Sequence, residues 1–213
     1  MIPFIFIPVD AQQVVLHSQI QAPLPNIEMY TASASVADVP FYSQFKDIQS
    51  PKWQKVGCGI TSLAMIINFY KPESASVNTL LNQGVALGAY DQNAGWTYKG
   101  LITLSQKYGF DGNYYDLSKL NTEDVIGTLK NYLKDGPIIV SAHYKFDPKS
   151  TIPHLVVIDG IDNGVVYYND PASNKGKEQI YIANFLGGWK KRIIVIRPIK
   201  TISEDLLAYN YDL

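Results

Sequence analysis

Residues 154–170, "HLVVIDGIDNGVVYYND", carry the clearest structural signal in the sequence. Two runs rich in β-branched and aromatic residues flank "DNG" at 162–164, and an Asn-Gly pair between such runs is typical of a β-hairpin. We therefore predict two antiparallel strands, over residues 154–161 and 164–169.

The two ends of this predicted hairpin carry His154 and Asp170. Because the turn is centred near residues 162–163, residue 154 should lie opposite a residue near 170 or 171, which brings the two side chains together. A carboxylate that orients an imidazole is a common arrangement for a general base. Asp170 alone stands in "NDP", an ordinary turn sequence, so it is the combination that predicts chemistry.

The other polar residues of this region receive structural interpretations. Side-chain alternation directs Asn169 to the opposite face from Asp170, and we place Asp159 and Asp162 near the far end of the hairpin, in turn and solvent. Of the other two histidines in the chain, His143 ends the run "PIIVSAHY" and His17 lies in an N-terminal segment with few structural signals. We expect neither histidine to be catalytic.

The chain has a single cysteine, Cys58, in "KVGCGITSLAMIINFY" at residues 55–70. Apolar residues recur at spacings of three and four from about Gly59 to Tyr70, and this predicts a core helix that begins at the cysteine. A helix N-terminus favours a thiolate, and Gly57 and Gly59 would let the backbone approach a substrate carbonyl closely. The alternative is a buried, inert thiol, which is common for free cysteine.

The order of predicted elements indicates an α+β fold. Further helices are expected at about Val77–Leu87, Thr97–Tyr108 and after "NTED", where Thr122 is the predicted N-cap. After Gly136 the pattern changes to the strand-like runs "PIIVSAHY", "HLVVIDGI", "GVVYYND" and "RIIVIRP", with a weaker run in "KEQIYI". We therefore predict N-terminal helices that pack on a C-terminal antiparallel sheet, with the Cys58 helix against it.

Composition excludes several classes of protein. The chain of 213 residues has 46% hydrophobic residues and a net charge of −1, so we expect one folded domain and no nucleic acid partner. One cysteine excludes an intramolecular disulfide and a cysteine-rich zinc site. We expect no metal and no cofactor.

The two ends of the chain are assigned apart from this domain. Residues 1–37 combine the apolar "MIPFIFIP", which is either an apolar edge segment or the remainder of a trimmed leader, with the linker-like "TASASVADVP". Residues 38–198 form the predicted domain and residues 199–213 a tail. No run is long enough for a transmembrane span. The apolar start favours export or attachment to the cell envelope, with a cytoplasmic enzyme as the alternative.

Several motifs together resemble a known family. The elements "VPFYSQ", Trp53, "GCGITSLAMIINFY", "GPIIVSAH", "HLVVIDGID", "VVYYNDPA" and "NFLGGW" are similar to the bacterial, bacteriocin-processing double-glycine leader peptidases, and most of all to their standalone branch. The resemblance covers about residues 38–198. It implies a papain-like cysteine peptidase fold with Cys58 as nucleophile, His154 as general base and Asp170 as the acid that orients it.

The same resemblance makes Gln44 of "YSQ" the oxyanion-hole amide, with Gln54 as a rival because Gln44 precedes the cysteine by fourteen residues. The family usually has proline two residues after the cysteine, where this chain has Ile60. Gly95 and Trp96 are either cleft walls or a helix start with a packed indole, and Trp53 and Trp189 are assigned to the core or its rim.

Three functions follow from these residues. The first is a cysteine peptidase that cleaves a peptide or protein substrate through a thioester acyl-enzyme, after small residues if the double-glycine preference holds. The second is a non-catalytic peptide-binding module of the same fold. The third is acyl transfer or amide hydrolysis on a non-peptide substrate.

Overall fold

The computed structural model describes residues 36–200, and the predictions for residues 1–35 and 201–213 lie outside this range. Within it, two short helices precede a long central helix, and further helices alternate with strands along the chain. The α-helices are α1 (Gln44–Asp47), α2 (Pro51–Gln54), α3 (Cys58–Tyr70), α4 (Val77–Ala86), α5 (Tyr98–Gln106), α6 (Thr122–Lys134) and α7 (Ile182–Gly188).

The strands form one large sheet and a small two-stranded ribbon. Their bounds are β1 (Tyr90–Asp91), β2 (Gly95–Trp96), β3 (Phe110–Asp116), β4 (Ile138–His143), β5 (Pro153–Asp162), β6 (Val165–Asn169), β7 (Glu178–Tyr181) and β8 (Trp189–Pro198). The sheet has six strands in the order β3-β8-β4-β5-β6-β7, and each neighbouring pair is antiparallel. β1 and β2 form the ribbon.

Helices cover both faces of the six-stranded sheet. One core joins α3, α4 and α5 to residues such as Leu155 and Val157 of β5. The other joins α6 and α7 to the intervening residues Val156 and Ile158. Because side chains alternate along β5, this strand is buried on both faces, and its residues 155–158 form a continuous apolar run.

Helix α3 is the centre of the first core. Residues 59–68 are all buried, so the helix is covered on every side rather than along one stripe. Ser62 Oγ donates to the Leu155 carbonyl at 3.3 Å, which ties the helix to β5. Ile60, at the position where the family usually has proline, is fully buried in this core and does not line the cleft described below.

The predicted α+β papain-like fold is confirmed, including the hairpin of β5 and β6 and the packing of the Cys58 helix on the sheet. The elements that were not predicted include α1, α2, β1, β2, β3 and α7. Of these, β3 has only one buried residue, Phe110, and pairs with β8 about eighty residues away. Helix α7 contains two glycines and is held in place by the buried side chains of Ile182 and Phe185.

The predicted cap of α6 was wrong. Asn121, not Thr122, is the N-cap, because its Oδ1 accepts the Asp124 backbone N–H at 2.9 Å. In residues 36–200 no helix combines the length and the apolar character that crossing a membrane requires.

Candidate active site

Cys58 is the first residue of α3, as predicted, and its side chain is half-buried. The first N–H groups of a helix have no acceptor within the helix, so the Cys58 N–H is free to donate to a ligand. The helix dipole also favours negative charge at this position.

His154 and Asp170 lie together at the open end of the β5–β6 hairpin. His154 Nε2 donates to Asp170 Oδ1 at 2.6 Å, and both residues are buried. Asp170 Oδ1 also accepts the Ala172 N–H at 2.7 Å, which fixes the carboxylate in the turn after β6. Because Nε2 is taken by Asp170, Nδ1 is the ring nitrogen that remains for Cys58.

The surroundings of His154 favour its charged form. Burial lowers the pKa of His154, but the hydrogen bonds with Asp170 and Cys58 and the charges on both groups outweigh it and raise the pKa to about 10. An imidazole in this environment holds a proton at neutral pH, and a neighbouring imidazolium stabilises a thiolate.

Gln44 and Gln54 have different environments. Gln44 is buried and lines the same cleft as Cys58 and His154. One N–H of its side chain donates to the Gln54 carbonyl at 2.7 Å, which leaves the second N–H for a ligand. Gln54 Nε2 instead donates to the carbonyls of Phe45 and Ile48, so its side chain holds the turn between α1 and α2.

The loop after β6 also positions Gln44. The Gln44 backbone N–H donates to the Pro171 carbonyl at 2.8 Å, and Ser43 Oγ donates to the Ser173 carbonyl at 2.8 Å. The same loop orients Asp170 and anchors α1. The four predicted site residues are therefore brought to one place by three separate segments of the chain.

The two glycines beside Cys58 serve packing rather than substrate approach, which corrects the prediction. A Cβ on Gly57 would overlap Ile48, and one on Gly59 would come within 2.7 Å of the Trp96 side chain. The space that the glycines leave is filled by the protein itself.

A cleft of about 540 Å³ opens over Cys58. Its lining includes Gly95 and Trp96, so the cleft-wall alternative is correct, and these residues form β2 rather than a helix start. Trp96 is also packed: it is 5% exposed, and its Nε1 donates to the Val56 carbonyl at 2.9 Å. Trp189 is buried in the second core, and Trp53 is partly buried at the rim of the first, so both agree with the prediction of core or rim.

The prediction for Asp159 was wrong. Asp159 is 2% exposed, and its Oδ2 accepts the Asn169 side-chain N–H at 2.9 Å. A register shift between Ile158 and Gly160 changes the pairing at this point, so a residue expected in solvent lies inside. Asn169 turns to Asp159 rather than to His154, and His143 Nδ1 contacts the Ser150 carbonyl at 2.7 Å.

Some walls of the cleft were missed at the level of sequence. Phe45, Tyr90, Tyr144 and Ile152 line it, and Tyr144 packs against the ring of His154. The feature of the sequence that could have identified Tyr144 is its position directly after β4, because the end of β4 pairs with the start of β5, where His154 lies. Within residues 36–200, no group of three or more His, Cys, Asp or Glu side chains is placed to hold a metal ion.

Comparison with known proteins agrees with this architecture. A double glycine motif protease from an AMS/PCAT transporter, crystallised with a leader peptide, is 21% identical, with a TM-score of 0.52 over 78% of this chain and 98% of that one. A C39-like peptidase from Bacillus anthracis is 18% identical, with a TM-score of 0.56 over 80% and 100%. A search of curated proteins finds no significant match.

The two solved structures share the fold of this chain, and their low identity restricts the comparison to the fold. The model of the peptidase C39-like family matches residues 36–193, nearly the whole of the described region. The chain belongs to the peptidase C39-like family.

Proposed function

We propose that the protein is a cysteine peptidase in which Cys58 is the nucleophile, His154 the general acid and base, and Asp170 the group that orients His154. The observation that carries the proposal is the 2.6 Å His154–Asp170 hydrogen bond beside a cysteine at a helix N-terminus, in a cleft large enough for an extended peptide. The related protease was crystallised with a leader peptide, which supports a peptide as the substrate.

The mechanism follows from the positions of these groups. Cys58 Sγ, its proton held by His154 Nδ1, attacks the carbonyl carbon of the scissile bond. The Cys58 N–H and the free N–H of the Gln44 side chain hydrogen-bond the oxyanion that forms. His154 then gives its proton to the leaving amine, the C–N bond breaks, and a thioester remains. Water, deprotonated by His154, attacks the thioester and releases the acid and Cys58.

The decisive experiment compares the wild type with Cys58→Ala on a peptide library, with new termini read by mass spectrometry. We expect cleavage by the wild type alone. Peptides that bind both proteins and are cut by neither would contradict turnover and indicate the binding module. Cleavage of esters or amides without cleavage of any peptide would contradict the peptide substrate.

Gln44 has its own test with Gln54 as the matched control. Replacing one oxyanion donor costs about 10²- to 10³-fold in kcat, so Gln44→Ala should lose that much with a smaller change in KM. Gln54→Ala should instead lower thermal stability, because its side chain ties the α1–α2 turn. An unchanged kcat in folded Gln44→Ala would remove Gln44 from the oxyanion hole.

The location of the protein remains a prediction from sequence. We propose export or attachment to the cell envelope, on the basis of the apolar residues 1–8 and the small-residue segment 31–40. Fractionation of cells that express the full chain, with an antibody to the domain, tests this proposal.

A further inference from the structure

The ring of Tyr144 lies against the ring of His154. The two centroids are 5.4 Å apart with an interplanar angle of 79°, an edge-to-face arrangement, and Tyr144 also lines the cleft. We propose that Tyr144 is a positioning residue that fixes the plane of the His154 ring. The proposal rests on the proposed peptidase function.

The need for such a residue follows from how His154 is held. Asp170 binds one ring nitrogen, Nε2. The direction of the other nitrogen toward Cys58 also depends on the plane of the ring, and that plane is set by whatever packs against it. Tyr144 is the aromatic ring in contact with His154 among the described residues.

The backbone that carries Tyr144 has a costly conformation. Lys145 and Phe146, the two residues that follow Tyr144 in the short 3-10 turn, have φ angles of 57° and 54°. Non-glycine residues rarely adopt this left-handed region, and two in succession persist only where the surroundings impose them.

The surroundings that impose the turn are visible in the second core. Phe146 is 7% exposed and packs on Tyr168 and Phe185, with ring centroids 5.1 and 5.5 Å away. Gly188 lies so close to the Phe146 backbone that any side chain there would overlap it. The turn is therefore anchored by Phe146 in the core, while Tyr144 projects into the cleft.

Hydrogen bonds close both ends of the segment. The Asp147 N–H donates to the Tyr144 carbonyl at 3.2 Å, and the Tyr144 N–H donates to the Ile152 carbonyl at 3.3 Å. No hydrogen bond of the Tyr144 hydroxyl is found within residues 36–200, so the contact depends on the ring. Phenylalanine should therefore replace Tyr144 without loss.

The test uses two readouts that do not require a substrate. The first is the rate at which iodoacetamide alkylates Cys58 at pH 6 to 7, which is unambiguous because the chain has one cysteine. The second is the NMR titration of the His154 ring, whose signal is identified among three histidines with His17→Gln and His143→Gln. The variants are Tyr144→Leu, Tyr144→Met and Tyr144→Phe.

We expect Tyr144→Leu to slow alkylation about three- to tenfold, the size of effect that an aromatic pair supplies, and to lower the titration midpoint of His154. Tyr144→Phe should match the wild type. Tyr144→Met, which is apolar and flexible, should follow Tyr144→Leu and serves if the leucine variant does not fold. Tyr115→Leu, which removes one ring of the distant Tyr115–Tyr132 stack, is the matched control and should leave both readouts unchanged.

Two different results would contradict the proposals, and they can be told apart. If the wild-type Cys58 reacts no faster than a model thiol, and His154→Ala leaves that rate unchanged, the proposed peptidase function fails and this proposal with it. If the wild type shows His154-dependent reactivity but folded Tyr144→Leu keeps the wild-type rate and titration, the positioning role alone is wrong.

Discussion

One hairpin presents two buried carboxyl groups with different partners. Asp170, 7% exposed, binds the imidazole of His154 at 2.6 Å. Asp159, 2% exposed, binds the side-chain amide of Asn169 at 2.9 Å, and its other oxygen has no hydrogen-bond partner in the described part of the chain.

Which group of each pair carries charge depends more on the partner of the carboxyl group than on its burial. An imidazole can carry a proton beside a carboxylate, and the pKa of His154 rises to about 10 despite the opposing effect of burial. The amide of Asn169 cannot carry such a proton. Burial therefore raises the pKa of Asp159 to about 7, although the hydrogen bond from Asn169 and the charge of Lys177 act to lower it. The first pair is suited to proton transfer, whereas Asp159 in the second pair is about half protonated at neutral pH.

The Asp159–Asn169 pair has a structural role. The Asp159 carbonyl accepts the Ala37 N–H at 2.9 Å, and Asn169 Oδ1 accepts the Lys177 N–H at 2.9 Å. The side chain of Asn169 thus joins the β6–β7 connection to the Asp159 carboxyl group, and the backbone of Asp159 binds the start of the described chain.

The largest expected effect separates the two carboxyl groups by activity. Asp170→Asn should lower kcat by about 10²- to 10⁴-fold, because the amide has no negative charge to stabilise the imidazolium and can turn its NH₂ group toward the ring, which favours the wrong tautomer. The loss of the Asp170 charge should also lower the pKa of His154. The alkaline limb of the pH–activity profile of Asp170→Asn should therefore move to lower pH. Asp159→Asn should stay within about twofold of the wild type on the same peptide. Equal losses of kcat in Asp170→Asn and Asp159→Asn would contradict a difference in catalytic role between the two carboxyl groups.

The sequence was sufficient for features that depend on local patterns. The bounds of α3 and α4 and the hairpin follow from apolar spacing and from the Asn-Gly turn, and the hairpin brought His154 and Asp170 together. Gln44 came from family resemblance, because nothing local marks a glutamine fourteen residues before the cysteine.

Features that depend on distant partners could not be predicted. β3 has the composition of a loop and is a strand because β8 pairs with it. The burial of Asp159 goes with a register shift in the hairpin, and its backbone carbonyl binds the N–H of Ala37, which is more than a hundred residues away in sequence. The position of Tyr144 directly after β4 places it near His154, but the orientation of its ring depends on the turn that Phe146 anchors, and the sequence pattern does not mark this turn.

The second prediction removes the partner of Asp159. Asn169→Ala should lower the free energy of unfolding by about 2–4 kcal/mol, because it leaves the buried Asp159 carboxyl unpaired and the Lys177 N–H without its acceptor. Urea denaturation measures this, with the exposed Asn131→Ala as control. A loss of less than about 1 kcal/mol would mean that the pair does not stabilise the fold.

The third prediction concerns pH. The folded-state pKa of Asp159 is raised above the unfolded value, so its contribution to stability is complete below about pH 4 and is lost as pH rises through about 7. Between pH 5 and pH 8 the wild type should lose about 2–3 kcal/mol that Asp159→Asn does not lose. Urea denaturation of both proteins at the two pH values isolates Asp159 from other titrating groups. Parallel losses would contradict a neutral Asp159.

The smallest effect comes from two exposed charges near Asp159. Lys177 Nζ and Asp38 Oδ1 form an ion pair at 2.7 Å on the surface; the charge of Lys177 lowers the pKa of Asp159, and that of Asp38 raises it. Lys177→Gln should therefore move the pH-dependent loss of stability to higher pH, and Asp38→Asn should move it to lower pH. Both shifts should shrink at about 1 M salt, where charges are screened within about 3 Å. Shifts in the same direction would mean that the two variants act by breaking the ion pair, whereas opposite shifts would show that each charge acts on Asp159 separately.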